Sequence, residues 1–290
     1  YMGHSVSRSA LLEFDTIRSA LTETDIWYLF HQQKDKLPGR IVERPHYAFT
    51  DQSWKELGYS RMINEVIPGN AHAPVFEFFE KTNCTADYLW LIESDVRFTG
   101  NWADFFEAFE IVEADFLTCH IRRQPEAPTF IFWPLKHPTK EIALENRLLS
   151  FNPVYRISAR AITFLAGQFR DGWCGHNEMI LPTLLYNHGY QLRDIGGDGE
   201  FVPEGWKNRF YTSWIMKSQK YQFDGTMRYR PMYHCAGQEA NKLYHPVKPL
   251  DVYLAKNYPA FKYLRQRYRG VCRRLGLRKD GMASRRTIDT

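Results

Sequence analysis

The chain lacks several features that would assign it quickly. No stretch of its 290 residues holds the roughly 18 uninterrupted apolar residues of a spanning helix. No charged segment followed by an apolar one opens it, so a secretory leader is not expected. Its five cysteines, Cys84, Cys119, Cys174, Cys235 and Cys272, are odd in number and scattered, which argues against a disulfide framework and suits a reducing compartment. Cys174, His176, His234 and Cys235 could together supply four zinc ligands, but no CxxC spacing supports such a site. There is no GxxxxGK[ST] phosphate loop, no HExxH and no G-x-S-x-G elbow. Those absences exclude the commonest nucleotidase, metalloprotease and serine-hydrolase signatures.

What is present is a core-forming composition of 44% hydrophobic and 16% aromatic residues, enough for one large core with an extension. The net charge of +5 is unevenly distributed: from Lys256 onward there are eleven cations and two acids, so the preceding chain is mildly acidic. Tyr263, Leu264, Tyr268, Val271, Leu275 and Leu277 interleave with those cations, as in a helix lying on an anionic membrane surface; a solvated helix or a disordered tail is the alternative. The body offers no matching basic face, so nucleic acid is not an expected partner.

Along the chain, helical and strand-like segments alternate. Helical spacing over 11–21 precedes an aromatic-rich strand at 26–30, and 47–49 is a further short strand before a helix running toward Leu57. Pro74 suits the first turn of the next helix, Asn101 can cap another through Phe109, and 115–119 reads as a strand. Later segments predict a strand at 154–157, a helix at 159–165, a helix capped by His176 or Asn177 and stopped by Gly189, and a strand at 191–195. This order predicts an α/β fold with a largely parallel sheet covered by helices. The proline-rich stretch 124–140 reads as a long ordered loop, and 196–244 as loops packed over a site. We expect a catalytic domain over 1–254 and a basic amphipathic tail over 255–290.

The most informative stretch is Tyr88-Leu89-Trp90-Leu91-Ile92-Glu93-Ser94-Asp95, a buried-type strand ending in two carboxylates one residue apart. Strand alternation would put Glu93 and Asp95 on one side, at the end where α/β sheets bind ligands. Two unpaired anions there are costly, so either a divalent cation with hard oxygen ligands or Arg97 with a helix N-terminus must balance them. In Gly172-Trp173-Cys174-Gly175-His176-Asn177-Glu178, Glu178 opens a helix and is the candidate general base, with His176 competing. A helix N-terminus would instead lower its pKa and make it a poorer base. Trp173 could stack on a sugar ring. His234 or His245 could complete a metal shell, and a cation such as Lys248 could neutralise a diphosphate. His234 is favoured because Gly237 permits close approach of a phosphate.

This order, an apolar strand, acid-x-acid, a carboxylate at a helix start and a late histidine, resembles the GT-A class of nucleotide-sugar-dependent glycosyltransferases. Glu93-Ser94-Asp95 looks like their DxD motif with Glu in the first place. The phrase from Trp90 to Trp102 resembles a little-characterised bacterial and fungal branch of that class. The resemblance implies a Rossmann-type sheet over roughly residues 1–250. It implies Mn²⁺ or Mg²⁺ on Asp95 bridging a donor diphosphate, with Glu93 on the donor's ribose or sugar, or on a metal-bound water. Ser94 would lie near the nucleotide, with His4, Ser5 and Asn70 as further nucleotide contacts. Glu178 would be the base of an inverting transfer, and His234, or failing it His245, the later metal ligand. The expected donor is a UDP-sugar and the acceptor a glycan or glycolipid, with Trp173 and His176 on the acceptor side. The expected location is cytoplasmic, peripheral on the inner membrane surface. A metal-dependent hydrolase of phosphate esters or glycosides, and a non-catalytic carbohydrate-binding protein, are the rival expectations.

Overall fold

The structure is a computed structural model that describes residues 1–258 apart from 5, 63, 64, 68, 129, 132 and 214–224. Two units divide the chain after Val247. The first opens with β1 (Met2–Gly3), α1 (Arg8–Ala20), β2 (Tyr28–His31), α2 (Gly39–Val42) and β3 (His46–Phe49). It continues with α3 (Ala73–Lys81), β4 (Tyr88–Ile92), β5 (Arg97–Phe98), α4 (Trp102–Glu107) and β6 (Phe116–Arg123). Then come β7 (Leu135–Lys136), β8 (Leu148–Ser158), α5 (Ala159–Asp171), β9 (Cys174–Gly175), α6 (Asn177–Asn187), β10 (Leu192–Asp194) and β11 (Leu243–Tyr244). The second unit begins at Lys248 and contains α7 (Leu250–Asn257).

The fold is mixed α/β. Strands β1, β2 and β3 form a parallel sheet in that order. Strands β10, β6, β8 and β4 form a second sheet, in which β10 and β6 are parallel while β8 runs against both β6 and β4. A parallel bridge between Met2 and Glu93 joins the two edges. The expected largely parallel sheet is therefore corrected at its centre: β8, eleven residues long and buried throughout, is antiparallel. Its four-residue sequence-based outline at 154–157 was too short because its inner half, Leu148–Pro153, carries polar residues that the interior satisfies. Ser150 and Thr118 hydroxyls both donate to Asn152 Oδ1, at 2.7 and 2.8 Å.

Side chains alternate between two cores, which explains why the strands read as continuous apolar runs. Leu29, Leu91, Phe116 and Tyr155 pack on one face, with Phe76 of α3, Ile162 and Leu165 of α5, and Leu184 of α6. Tyr28, Phe30, Ile92, Leu117 and Val154 pack on the other, with Phe14 of α1 and Phe105 of α4. The caps are those that residue chemistry favours: Ser7, Asn101 and Ser158 accept from backbone N–H groups of α1, α4 and α5. Among the described residues no helix is long and apolar enough to cross a membrane. Of the expected basic tail, 259–290 lies outside the described residues.

Candidate functional site

Where β4 ends, its chain is held from both sides. Glu93 N–H donates to the Pro153 carbonyl of β8 (2.8 Å) and Ser94 N–H to the Met2 carbonyl of β1 (2.8 Å). Val96 N–H then returns to the Glu93 carbonyl (2.9 Å), closing a turn. Glu93 and Asp95 therefore converge through this turn rather than through strand alternation.

The third member comes from 150 residues away. Strand β11 pairs antiparallel with β5, Tyr244 opposite Arg97, and Val247 N–H donates to the Asp95 carbonyl (2.8 Å). That pairing brings His245 Nε2 to 3.6 Å from Glu93 Oε2 and 3.5 Å from Asp95 Oδ1. The candidate ligand atoms of Glu93, Asp95 and His245 all lie within 4.8 Å of one another. His245 Nδ1 lies 3.0 Å from the Arg228 carbonyl, which can only accept, so Nδ1 carries a proton. In the neutral ring the Nε2 lone pair then faces the two carboxylates. Two oxygens and an imidazole nitrogen with its far nitrogen anchored on a carbonyl are a donor set that fits Mn²⁺ or Mg²⁺. The alternative balance through Arg97 is not what is built: its Nε sits 3.5 Å from Glu13 Oε2, and its guanidinium donates to the Ser94 and Val96 carbonyls.

Glu178 is buried in the first turn of α6. Burial pushes its carboxyl up to about 8, and the nearby charge of Glu93 pushes the same way. The Tyr229 hydroxyl, which donates to Glu178 Oε2, and the Asn152 backbone N–H pull it back only in part. Desolvation thus outweighs the helix N-terminus, opposite to the lowering that position alone suggests. His176, not Asn177, caps α6: its Nδ1 accepts from Glu178 N–H at 3.3 Å, so its proton resides on Nε2. Burial lowers the His176 pKa to about 4, keeping the ring neutral. Its Nδ1 lies 3.6 Å from Glu178 Oε2.

Other expected residues fall elsewhere. His234 is exposed beside Cys235, its Nε2 3.4 Å from the Sγ, and it is His245 that stands beside Glu93 and Asp95. The reason is strand pairing between β11 and β5, which sequence spacing cannot reveal. Gly237 is packed closely on Tyr244, where a Cβ would meet the Tyr244 hydroxyl at 2.4 Å. Trp173 is buried in the first core against His137, with ring centroids 4.9 Å apart, so it presents no face to a sugar. The Ser94 hydroxyl is turned to Tyr28 and the Gly3 Cα: a Cβ on Gly3 would lie 2.4 Å from Ser94 Oγ. Asn70 is buried and its amide donates to the Glu65 carbonyl (2.8 Å), ordering a loop whose Gly69 carbonyl accepts from Asn177 N–H. His4 is exposed immediately after β1. Ser5 lies outside the described residues, and Lys248 belongs to the second unit.

Sequence reasoning missed Tyr229 and Asn152. Tyr229 lies in the 196–244 stretch read as loops over a site, and no local pattern marks it; only its partner across the fold does. Compared with known proteins, the chain matches no family model and no curated protein.

Proposed function

We propose that this protein is a nucleotide-sugar-dependent glycosyltransferase of GT-A-like architecture, moving a sugar from a nucleoside diphosphate, UDP foremost, to a hydroxyl of a glycan or glycolipid. One observation carries the reading: Glu93, Asp95 and His245 converge at the carboxyl end of β4, electrostatically coupled to a buried carboxyl at Glu178. The sheet with helices on both faces and acids beyond a strand end supports it, because such sheets bind ligands there. Asp95, Glu93 and His245 would hold Mn²⁺ or Mg²⁺. When bound, the cation would supply charge neutralisation for the departing diphosphate.

Glu178 would take the proton of the acceptor hydroxyl in an inverting transfer, with His176 beside it as a neutral donor through Nε2. A carboxyl held near 8 is poised close to working pH, where a base is most effective. Neutralising Glu93 removes one of the charges that hold Glu178 up. Donor-loaded protein would therefore carry more ionised Glu178 than the empty protein. The peripheral membrane contact through 255–290 and the assignment of Lys248 to a diphosphate rest on sequence alone.

The test is donor turnover with a panel of nucleotide sugars and Mn²⁺, with and without glycan acceptors, alongside calorimetry of UDP and Mn²⁺ on wild type and Asp95→Ala. Acceptor-dependent turnover and loss of metal-dependent UDP binding in Asp95→Ala are expected. Equal turnover without acceptor would mean a hydrolase. Sugar binding with no donor cleavage would mean a carbohydrate-binding protein, and unchanged UDP affinity in Asp95→Ala would remove the metal role.

A further inference from the structure

Residues 225–229 form a strap that touches both halves of the site. His245 N–H donates to the Thr226 carbonyl (2.9 Å), Arg228 N–H to the His245 carbonyl (3.1 Å), and His245 Nδ1 to the Arg228 carbonyl (3.0 Å). From β6, the buried His120 fixes the strap's middle, its Nε2 donating to the Met227 carbonyl at 2.7 Å. Gly225 begins it at φ +126°, where a Cβ would lie 2.2 Å from the Thr212 carbonyl oxygen, so no side chain fits. Tyr229 ends it, with its hydroxyl on Glu178 Oε2. One ring of β8, Phe151, packs against both Tyr229 and His245, 4.4 Å and 5.2 Å away between centroids.

We propose that Tyr229 is a positioning residue: seated through the strap on His245, it fixes the plane of the Glu178 carboxylate relative to the cation ligands. This rests on the reading of Glu178 as the base. A glutamate's terminal torsion is broad and roughly two-fold, so burial alone does not aim its oxygens. An O–H···O⁻ bond to one oxygen does, and such charge-assisted bonds are about twice as strong as neutral ones. The strap's backbone pairing makes the aim depend on where His245 sits, so one five-residue segment aligns the base and the metal ligand. The other groups facing Glu178 are His176, the charge of Glu93 and the Asn152 N–H. None of them belongs to the strap.

Tyr229→Phe keeps the ring on Phe151 and removes the hydroxyl. The expected result is a fall in kcat of roughly 10- to 100-fold, up to the scale a misplaced group costs, with donor KM and Mn²⁺ affinity unchanged. The rising limb of the pH–rate profile should move to higher pH, because the lost bond had favoured the ionised carboxylate. A merely structural tyrosine would lower Tm without splitting kcat from KM or moving the profile. The second measurement needs no turnover: carboxyl ¹³C titration of Glu178, assigned with Glu178→Gln, in wild type and Tyr229→Phe. An unchanged midpoint overturns the proposal whatever the protein's activity. A raised midpoint with no transfer from any donor would uphold the Tyr229–Glu178 bond and sink the glycosyltransfer reading instead.

Discussion

Replacing Glu178 by glutamine should make the protein inactive and, above neutral pH, more stable. The glutamine keeps the shape and still offers a carbonyl oxygen to the Tyr229 hydroxyl, but it has no charge to desolvate. Holding a carboxyl at about 8 instead of its ordinary 4.5 corresponds to ~5 kcal/mol against the ionised form. Relaxation around the charge, in the effective dielectric that buried sites display, reduces this to ~2–3 kcal/mol. In the wild type the folded state binds the Glu178 proton more tightly than the unfolded chain does. The stability this supplies is fully present below 4.5, declines as pH rises from 4.5 to about 8, and is gone above it. In Glu178→Gln that decline is missing. The amide does set an N–H donor against the Asn152 N–H, at a cost of ~1 kcal/mol that does not vary with pH. The slope, not the absolute stability, is therefore the readout. Urea unfolding at pH 5.5 and 8.5 without divalent cations should show the variant gaining ~1–2 kcal/mol relative to wild type between the two, the remainder of the effect falling below pH 5.5. Turnover should fall by roughly 10²-fold or more, the scale of a lost general base. Parallel pH dependences in the two proteins would show that Glu178 is not held protonated by burial, and the reasoning about the base would fail with it.

The two late histidines should separate cleanly. His245→Ala is expected to weaken Mn²⁺ binding by at least about tenfold, read by calorimetry or by the manganese spin signal, whereas His234→Ala should leave it unchanged; the reverse result would move the ligand out of β11's reach. Trp173→Ala should act on the fold: deleting a buried tryptophan costs about 3–5 kcal/mol, seen as a lower unfolding midpoint. Unchanged stability with weakened acceptor affinity would return Trp173 to the surface of the site.

Much of the fold was legible. Element order, the cap at Asn101, and the two-sided burial of the strands follow from local apolar spacing and short polar side chains, which act over a few residues. The direction of β8 was not, because antiparallel and parallel partners present the same buried apolar face, and nothing local encodes which way a neighbour runs. At the site, the acids were legible because two charges closing an apolar strand demand compensation wherever they occur. Histidine choice was not: His234 and His245 have similar local settings, and only β11 on β5 distinguishes them. Trp173 and Gly237 misled because an aromatic beside glycines, or a glycine beside a histidine, signals close approach without saying of what.

The sequence by itself determined that this is an α/β chain with a carboxylate pair where its fourth strand stops, since apolar runs and charge placement are local properties. Tertiary structure alone decided that a turn rather than strand alternation brings Glu93 and Asp95 together, that His245 joins them, and that Glu178 keeps its proton near neutrality. Each of those depends on dielectric burial or on backbone pairing between segments tens to hundreds of residues apart, and neither quantity is written in any window of the chain.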